Sequence, residues 1–253
     1  MKITFLGTGT SQGVPVIACP CEVCHSTNPK DSRLRTSLLI EINDIHIVID
    51  SGPDFRQQML NADVKTLDAI LFTHEHRDHI AGLDDVRAYN YIQQQPMDVY
   101  AEERVQNAIM NEFDYIFAEH KYPGIPQVNM HKIDKHPFEV QGIAVVPIRV
   151  MHMRLPVLGF RIGDLTYITD ANFISDEEKH KIRGSKVIII TGLRKQKHIS
   201  HFSLSEAVEL LEEFKPEKGY ITHISHQMGF HNEVQAELPP NIALAYDNLT
   251  FEL

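Results

Sequence analysis

Seven residues constrain this chain more than any others: Thr73-His74-Glu75-His76-Arg77-Asp78-His79. They follow directly on an apolar segment, Asp68 to Thr73, which reads as a strand, so His74 stands at a strand end. Four potential metal ligands fall within six positions. A loop there can turn His74 and His76 toward one cation while Asp78 and His79 reach a second. A structural zinc site rarely gathers so many nitrogen and oxygen donors without cysteine, whereas a catalytic site needs a set that leaves a coordination position open for water. The motif supplies only part of two coordination spheres. Candidates for the rest stand at other strand ends: His152 after Val145 to Val150, Asp170 after Leu165 to Thr169, and His223 within Gly219 to Ile224. An aspartate suits a bridging position because each oxygen can serve one metal.

The remainder of the chain has an ordinary globular make-up. It has 253 residues, 43% hydrophobic and 23% charged, enough for a substantial core, and it is read as one domain spanning residues 1–253. No apolar run is long enough to span a bilayer. The N-terminus reads as a first strand rather than a signal peptide, so a cytoplasmic location and no membrane partner are expected. The net charge of −10 argues against a sequence-independent grip on nucleic acid, which needs a basic footprint.

Hydrophobic patterning predicts strands at Lys2 to Thr8, Ser37 to Ile42 and Ile45 to Asp50, with Asn43-Asp44 as a hairpin turn. Helical periodicity runs through Ile80 to Gln95 and Arg104 to Phe117. Phe138 to His152 reads as paired β structure broken at Pro147. Leu158 to Ile162 and Leu165 to Thr169 form a hairpin, and Lys186 to Thr191 is a buried strand. Ser203 to Lys215 is a helix opened by a capping box of Ser203 and Glu206. Gly219 to Ile224 is a strand, His231 to Leu238 a short helix, and Ile242 to Leu253 a closing β segment. Two such mixed halves predict an α+β, four-layered αββα sandwich.

His74-x-His76-x-Asp78-His79 with a later His152, Asp170 and His223 resembles the metallo-β-lactamase superfamily, as do Phe5-Leu6-Gly7-Thr8-Gly9-Thr10 and Ile49-Asp50-Ser51-Gly52. The resemblance covers nearly the whole chain. It implies that His74, His76 and His152 hold one catalytic metal, that Asp78, His79 and His223 hold the other, and that Asp170 bridges them. Mixed imidazole and carboxylate ligands suit zinc or manganese.

Three cysteines, Cys19, Cys21 and Cys24, are the only ones in the chain. An odd cluster in a reducing compartment is a poor disulfide framework and a good metal knuckle. With Gly13-Val14-Pro15 before it, the knuckle resembles the phosphoribosyl 1,2-cyclic phosphate phosphodiesterase branch. That branch implies a separate structural zinc on Cys19, Cys21, Cys24 and His226. Such a site adds roughly 10 kcal/mol to the folded state.

His201-Phe202-Ser203 resembles the His-Leu-Thr element of tRNase Z and the cyclic phosphodiesterases, with serine in the third place. The resemblance gives His201 the role of general acid or phosphate stabiliser, and Asp78 a share in orienting the nucleophile. Nearby His198 is the residue to distinguish from it; the helix cap at Ser203 favours His201. Asp50, ending its strand, is expected to orient ligand histidines. Asp54 and Arg56 are left between substrate contact and helix capping. Asp84, Asp85 and Arg87 read as a solvated helix face, and His231 as a candidate for the pocket wall. The expected activity is hydrolysis of a small phosphodiester such as a phosphoribosyl cyclic phosphate or cyclic nucleotide. The alternative is an RNA-processing nuclease of the tRNase Z type, for which residues 96–137 leave room for an insertion. Related enzymes are often homodimers, and a homodimer is the expectation carried over.

Overall fold

The computed structural model describes residues 1–120 and 122–253. The first half runs β1 (Lys2–Gly7), β2 (Ser37–Ile42), β3 (Ile45–Ile49), α1 (Phe55–Asn61), β4 (Ala69–Leu71), α2 (Arg77–Ile80), α3 (Arg87–Gln93), β5 (Met97–Ala101), α4 (Glu103–Glu112), α5 (Asp114–Phe117) and β6 (Val128–Lys132). The second half runs β7 (Phe138–Val140), β8 (Ile143–His152), β9 (Leu155–Ile162), β10 (Leu165–Ile168), β11 (Phe173–Ile174), α6 (Asp176–Ile182), β12 (Val187–Thr191), α7 (Leu204–Phe214), β13 (Lys218–Thr222), α8 (His231–Glu237), β14 (Ile242–Leu244) and β15 (Thr250–Glu252). Among the described residues, no helix is long and apolar enough to cross a membrane.

One sheet has the order β15-β1-β2-β3-β4-β5-β6; the other has β11-β8-β9-β10-β12-β13-β14, with β7 also paired to β8. Both faces of each sheet are covered, which is why the central strands are apolar on both faces rather than alternating. Ile47 and Ile49 of β3 and Ile189 of β12 enter the core between the sheets, with Phe5, Phe160 and Tyr167. Their strand neighbours turn outward: Val48 packs with Phe55, Leu83, Val105 and Ile109, and Ile188 and Ile190 pack with Ile182, Ala207 and Leu211. The result is the expected αββα sandwich. β3, β4, β5 and β6 run parallel, as do β10, β12, β13 and β14. Their carboxyl ends therefore gather along one edge, where ligands of open α/β sheets characteristically bind.

Several elements depart from the sequence reading. The helix expected over residues 80–95 is broken after α2, because Gly82 presses on Gly52; a Cβ on Gly82 would come 2.1 Å from the Gly52 carbonyl oxygen. The helix over residues 104–117 breaks at Phe113, whose φ −121° and ψ 47° are not helical. Pro147 does not break its strand. It pairs with Phe160 of β9, while its other side faces the gap between β7 and β11, so no ladder bond is lost there. The closing segment divides between the sheets: β14 pairs β13 and β15 pairs β1. Helices α1 and α6 and the strands β5 and β6 went unread. Ser175, which accepts a bond from the Glu178 N–H at 3.3 Å, was a usable start signal for α6. The Asn43-Asp44 turn is formed, both residues having positive φ as a tight hairpin requires.

Candidate metal centre

The carboxyl ends of β3, β4, β8, β10 and β13 bring Asp50, His74 to His79, His152, Asp170 and His223 to the same edge. Three of these residues have left-handed backbone: Asp50 at φ 63°, Asp170 at φ 45° and His223 at φ 58°. Side chains other than glycine adopt this region at a cost, and aspartate, asparagine and histidine do so most readily. Each strand ends in a reversal that swings one polar side chain back over the sheet edge. That is how buried strands deliver hydrophilic groups to one point.

The imidazoles of His74, His76 and His152 form one group, with ring centroids 4.6, 6.0 and 5.3 Å apart. His74 Nε2 and His76 Nδ1 are 3.0 Å apart. Asp78, His79 and His223 form the neighbouring group. The Asp78 carboxylate lies 3.2 Å from His79 Nε2 and 3.9 Å from His223 Nε2. Asp170 stands between the groups: its Oδ2 is 3.2 Å from both His79 Nε2 and His223 Nε2. It also belongs to a donor cluster with His74, and to another with His152 and His201.

The ring orientations are fixed from behind. His79 Nδ1 donates to Asp50 Oδ2 at 2.7 Å, and Asp50 also accepts the Thr73 N–H and hydroxyl. His152 Nδ1 donates to the Ser200 carbonyl at 2.7 Å. Nε2 of His79 and both nitrogens of His223 are buried with no hydrogen-bond partner among the described residues. Orphaned imidazole nitrogens beside carboxylates are costly unless a cation joins them, so this donor set fits divalent metal. Burial opposes charge on His79, but Asp78, Asp170 and Asp50 outweigh it and hold the imidazole well above its usual range. Burial likewise opposes charge on Asp170, yet His223 and His79 keep its carboxyl well below the usual value. The pocket is thus prepared for positive charge.

His201 stands at the mouth. Its ring centroid is 4.5 Å from that of His152 and 4.8 Å from that of His223, and its Nδ1 is 3.9 Å from Asp170 Oδ1. Burial and His223 push it down to about 3. His198 lies farther out, 5.4 Å from the His201 ring and half-buried.

At the other end of the His223 loop, Cys19 Sγ and Cys21 Sγ are 3.3 Å and Cys24 Sγ 3.5 Å from His226 Nδ1. Three thiols converging on one imidazole nitrogen match the chemistry of a closed tetrahedral zinc site. The Cys24 backbone N–H and His226 pull the Cys21 thiol down to about 6, while burial pushes Cys24 up to about 11. The segment between β1 and the knuckle is stitched to the site loop, since Ile224 N–H donates to the Thr8 carbonyl at 2.8 Å and Thr10 N–H donates to the Ile224 carbonyl at 3.1 Å.

The remaining sequence candidates have structural partners. Asp54 neither caps α1 with its side chain nor faces the metal groups: it pairs with Arg35 at 2.9 Å. Arg56 is exposed on α1. His231 is buried away from the pocket wall, within hydrogen-bond distance of Arg33, while its N–H donates to Asp31 at 2.6 Å. Asp84 accepts from the Tyr115 hydroxyl rather than facing water alone. Sequence reasoning missed Arg33, Thr8 and Asp247, which form a buried polar network. An arginine in a polar loop carries no sequence signal for burial.

The model of the β-lactamase superfamily domain matches residues 46–224, from β3 through the His223 loop. The chain belongs to the β-lactamase superfamily. A solved diphosphatase from the PhnP family is 38% identical with a TM-score of 0.93, covering 100% of this chain and 97% of that one. An octanoyltransferase of Porphyromonas gingivalis is 41% identical over 253 residues, covering 98% of this chain and 51% of that protein. A ribonuclease Z of Crocosphaera subtropica is 30% identical over 174 residues, covering 65% of this chain and 48% of that protein. The chain thus spans about half the length of these two curated relatives. The β-lactamase superfamily fold implies divalent metal binding, and the donor groups described above offer the ligands for it.

Proposed function

We propose that this chain hydrolyses a small phosphodiester, cyclic or open, at a dinuclear centre of zinc or manganese. His74, His76 and His152 would hold one ion, Asp78, His79 and His223 the other, and Asp170 both. Cys19, Cys21, Cys24 and His226 would hold a separate structural zinc. A pair of divalent ions supplies Lewis acidity to phosphoryl oxygens and lowers the pKa of water toward neutrality.

The protein's own groups do the rest. Asp50 and Ser200 hold the Nδ1 protons of His79 and His152, so both rings present Nε2 forward. Asp78, in the first turn of α2, would also accept a hydrogen bond from the attacking water. The observation that carries the reading is His201. It is 8% exposed, its Nδ1 is buried with no partner among the described residues, and it lies between two histidines of the metal groups. A metal cage has no need of such a group, but expulsion of an alkoxide from phosphorus needs a proton donor, and the anionic phosphodiester itself would offset the burial that otherwise keeps His201 neutral.

A diphosphate diester is the second reading, favoured by the 38% identical PhnP-family diphosphatase. The bond broken is again P–O, with phosphate as leaving group. Against RNA processing of the tRNase Z type stands the segment following β5. There α4 packs Val105 and Ile109 on the first sheet and α5 buries Ile116, instead of extending a basic arm. The test is turnover of 2′,3′-cyclic AMP, a diphosphate diester and a precursor tRNA by metal-loaded protein, with Asp78→Ala as control. Hydrolysis of a small substrate, lost in the folded variant, supports the reading. No turnover at full metal loading, or cleavage of precursor tRNA alone, overturns it.

A further inference from the structure

The loop that delivers His201 has little apolar packing to hold it. Lys195, Gln196, Lys197 and Ile199 are exposed, Ile199 at 74%. Its position over the site is therefore set by polar ties. At its start, Arg194 donates to Gln227 Oε1 at 2.6 Å and to the Lys197 carbonyl at 3.1 Å. Near its end the ties come from Asn172, two residues beyond Asp170. The Asn172 amide Nδ2 donates to the Ile199 carbonyl at 3.0 Å. Its Oδ1 accepts the N–H of Met153 at 2.7 Å, and its backbone N–H donates to the Met151 carbonyl at 2.8 Å. Met153 follows His152 and has left-handed backbone, φ 58°, so that turn also needs a partner to define it.

We propose that Asn172 is a positioning residue for the phosphodiester hydrolysis inferred above, its one carboxamide setting the distance between the turn after His152 and the loop before His201. A carboxamide is suited to this because it offers a donor and an acceptor on the two sides of one plane. The flanking contacts agree. His152 Nδ1 donates to the Ser200 carbonyl at 2.7 Å, and Phe202 N–H donates to the Ala171 carbonyl at 2.7 Å. Without the Asn172 bridge the Ile199–Ser200 peptides drift from the His152 turn, and His201 leaves its place between His152 and His223. The inference rests on the phosphodiesterase reading for its kinetic arm only.

The experiment compares wild type with Asn172→Ala and Asn172→Asp. Aspartate still accepts from Met153 but cannot donate to Ile199. Metal content, trypsin cleavage after Lys195 and Lys197, and rates on two substrates are measured. Both variants are expected to keep their metals and to be nicked about tenfold faster at the loop, the effect of one lost hydrogen bond. The rate on 2′,3′-cyclic AMP, which expels an alkoxide, should fall about 10- to 100-fold, as for a catalytic group misplaced by about 1 Å. The rate on bis(p-nitrophenyl) phosphate, whose leaving group needs no acid, should change less than about threefold. That split separates positioning of His201 from general weakening of the fold. Wild-type nicking, or equal losses on both substrates, overturns the proposal. If wild type itself cleaves no phosphodiester, the functional reading fails, and the nicking rates alone decide the role of Asn172.

Discussion

His79 and Asp50 meet at 2.7 Å with both side chains fully buried. Burial raises the Asp50 carboxyl, while His79 and the two Thr73 donors draw it back. The pair fixes the His79 proton on Nδ1 and leaves Nε2 facing Asp78 and Asp170. Asparagine at position 50 accepts the left-handed backbone but loses the charge that makes His79 a strong donor to metal. Asp50→Asn is expected to weaken metal binding at this group about 10- to 100-fold. Chelator competition followed by elemental analysis measures it; unchanged affinity removes the orienting role.

His201 gives a leaving-group prediction. His201→Ala should slow hydrolysis of an alkyl or cyclic phosphodiester by about 10²- to 10⁴-fold, the usual range for general acid catalysis. With p-nitrophenyl esters the same variant should lose little. Steady-state rates across a leaving-group series give the slope, and equal losses along it would assign His201 to phosphate binding instead.

Cys21→Ser should remove one zinc per chain and leave the other metals in place. Because a structural zinc contributes roughly 10 kcal/mol at neutral pH, a large fall in Tm is expected. Elemental analysis with thermal melts reads both quantities; an unchanged metal count would show that the thiols hold no ion.

His231 predicts a pH effect. Burial, with Arg33 and Lys30, pushes it from 6.5 down to about 4. Its folded value is below its unfolded one, so the unfolded chain takes the proton first. The stability it contributes is full above pH 6.5 and is lost as pH falls toward 4. His231→Gln has no such proton to take up. Chemical denaturation at pH 7.5, 6 and 4.5 should show the wild-type advantage shrinking across the series; a constant difference contradicts the assignment.

Gly52 is a steric prediction. A Cβ there would come 2.0 Å from the Asp78 carbonyl oxygen. Gly52→Ala must move the loop that carries Asp78 and His79, at a cost of about 1–3 kcal/mol for an overpacked site. Urea unfolding and metal content should fall together. A stable, fully loaded variant would mean that the loop shifts freely.

How much of this was readable follows from the physics of each residue. His74 to His79 stood out because dense polar donors directly after an apolar strand have few structural explanations. The two-sheet architecture was visible because strands buried on both faces are continuously apolar, as at Val187 to Ile190. Ser203 and Glu206 form the capping box their spacing announced. What failed depended on distant contacts. Nothing local tells that Pro147 faces a gap in the sheet, that Gly82 meets Gly52, or that Arg33 is buried. Asn172 looked like any loop asparagine, since its importance lies in two carbonyl and amide partners about 20 and 27 residues away.

The left-handed backbone at Asp50, Asp170 and His223 also limits how this site can be altered. Each position must satisfy a dihedral requirement as well as a chemical one. Exchanging a carboxylate for a longer one, Asp170→Glu, displaces the oxygens by a methylene and also places a side chain less tolerant of positive φ at the strand end. Attempts to retune the proposed metal site at Asp170 or His223, or through Asp50 behind His79, therefore have a short alphabet of aspartate, asparagine, histidine and glycine. At His74, His76 and His79, which are free of that backbone restraint, a wider range of donors is open to selection.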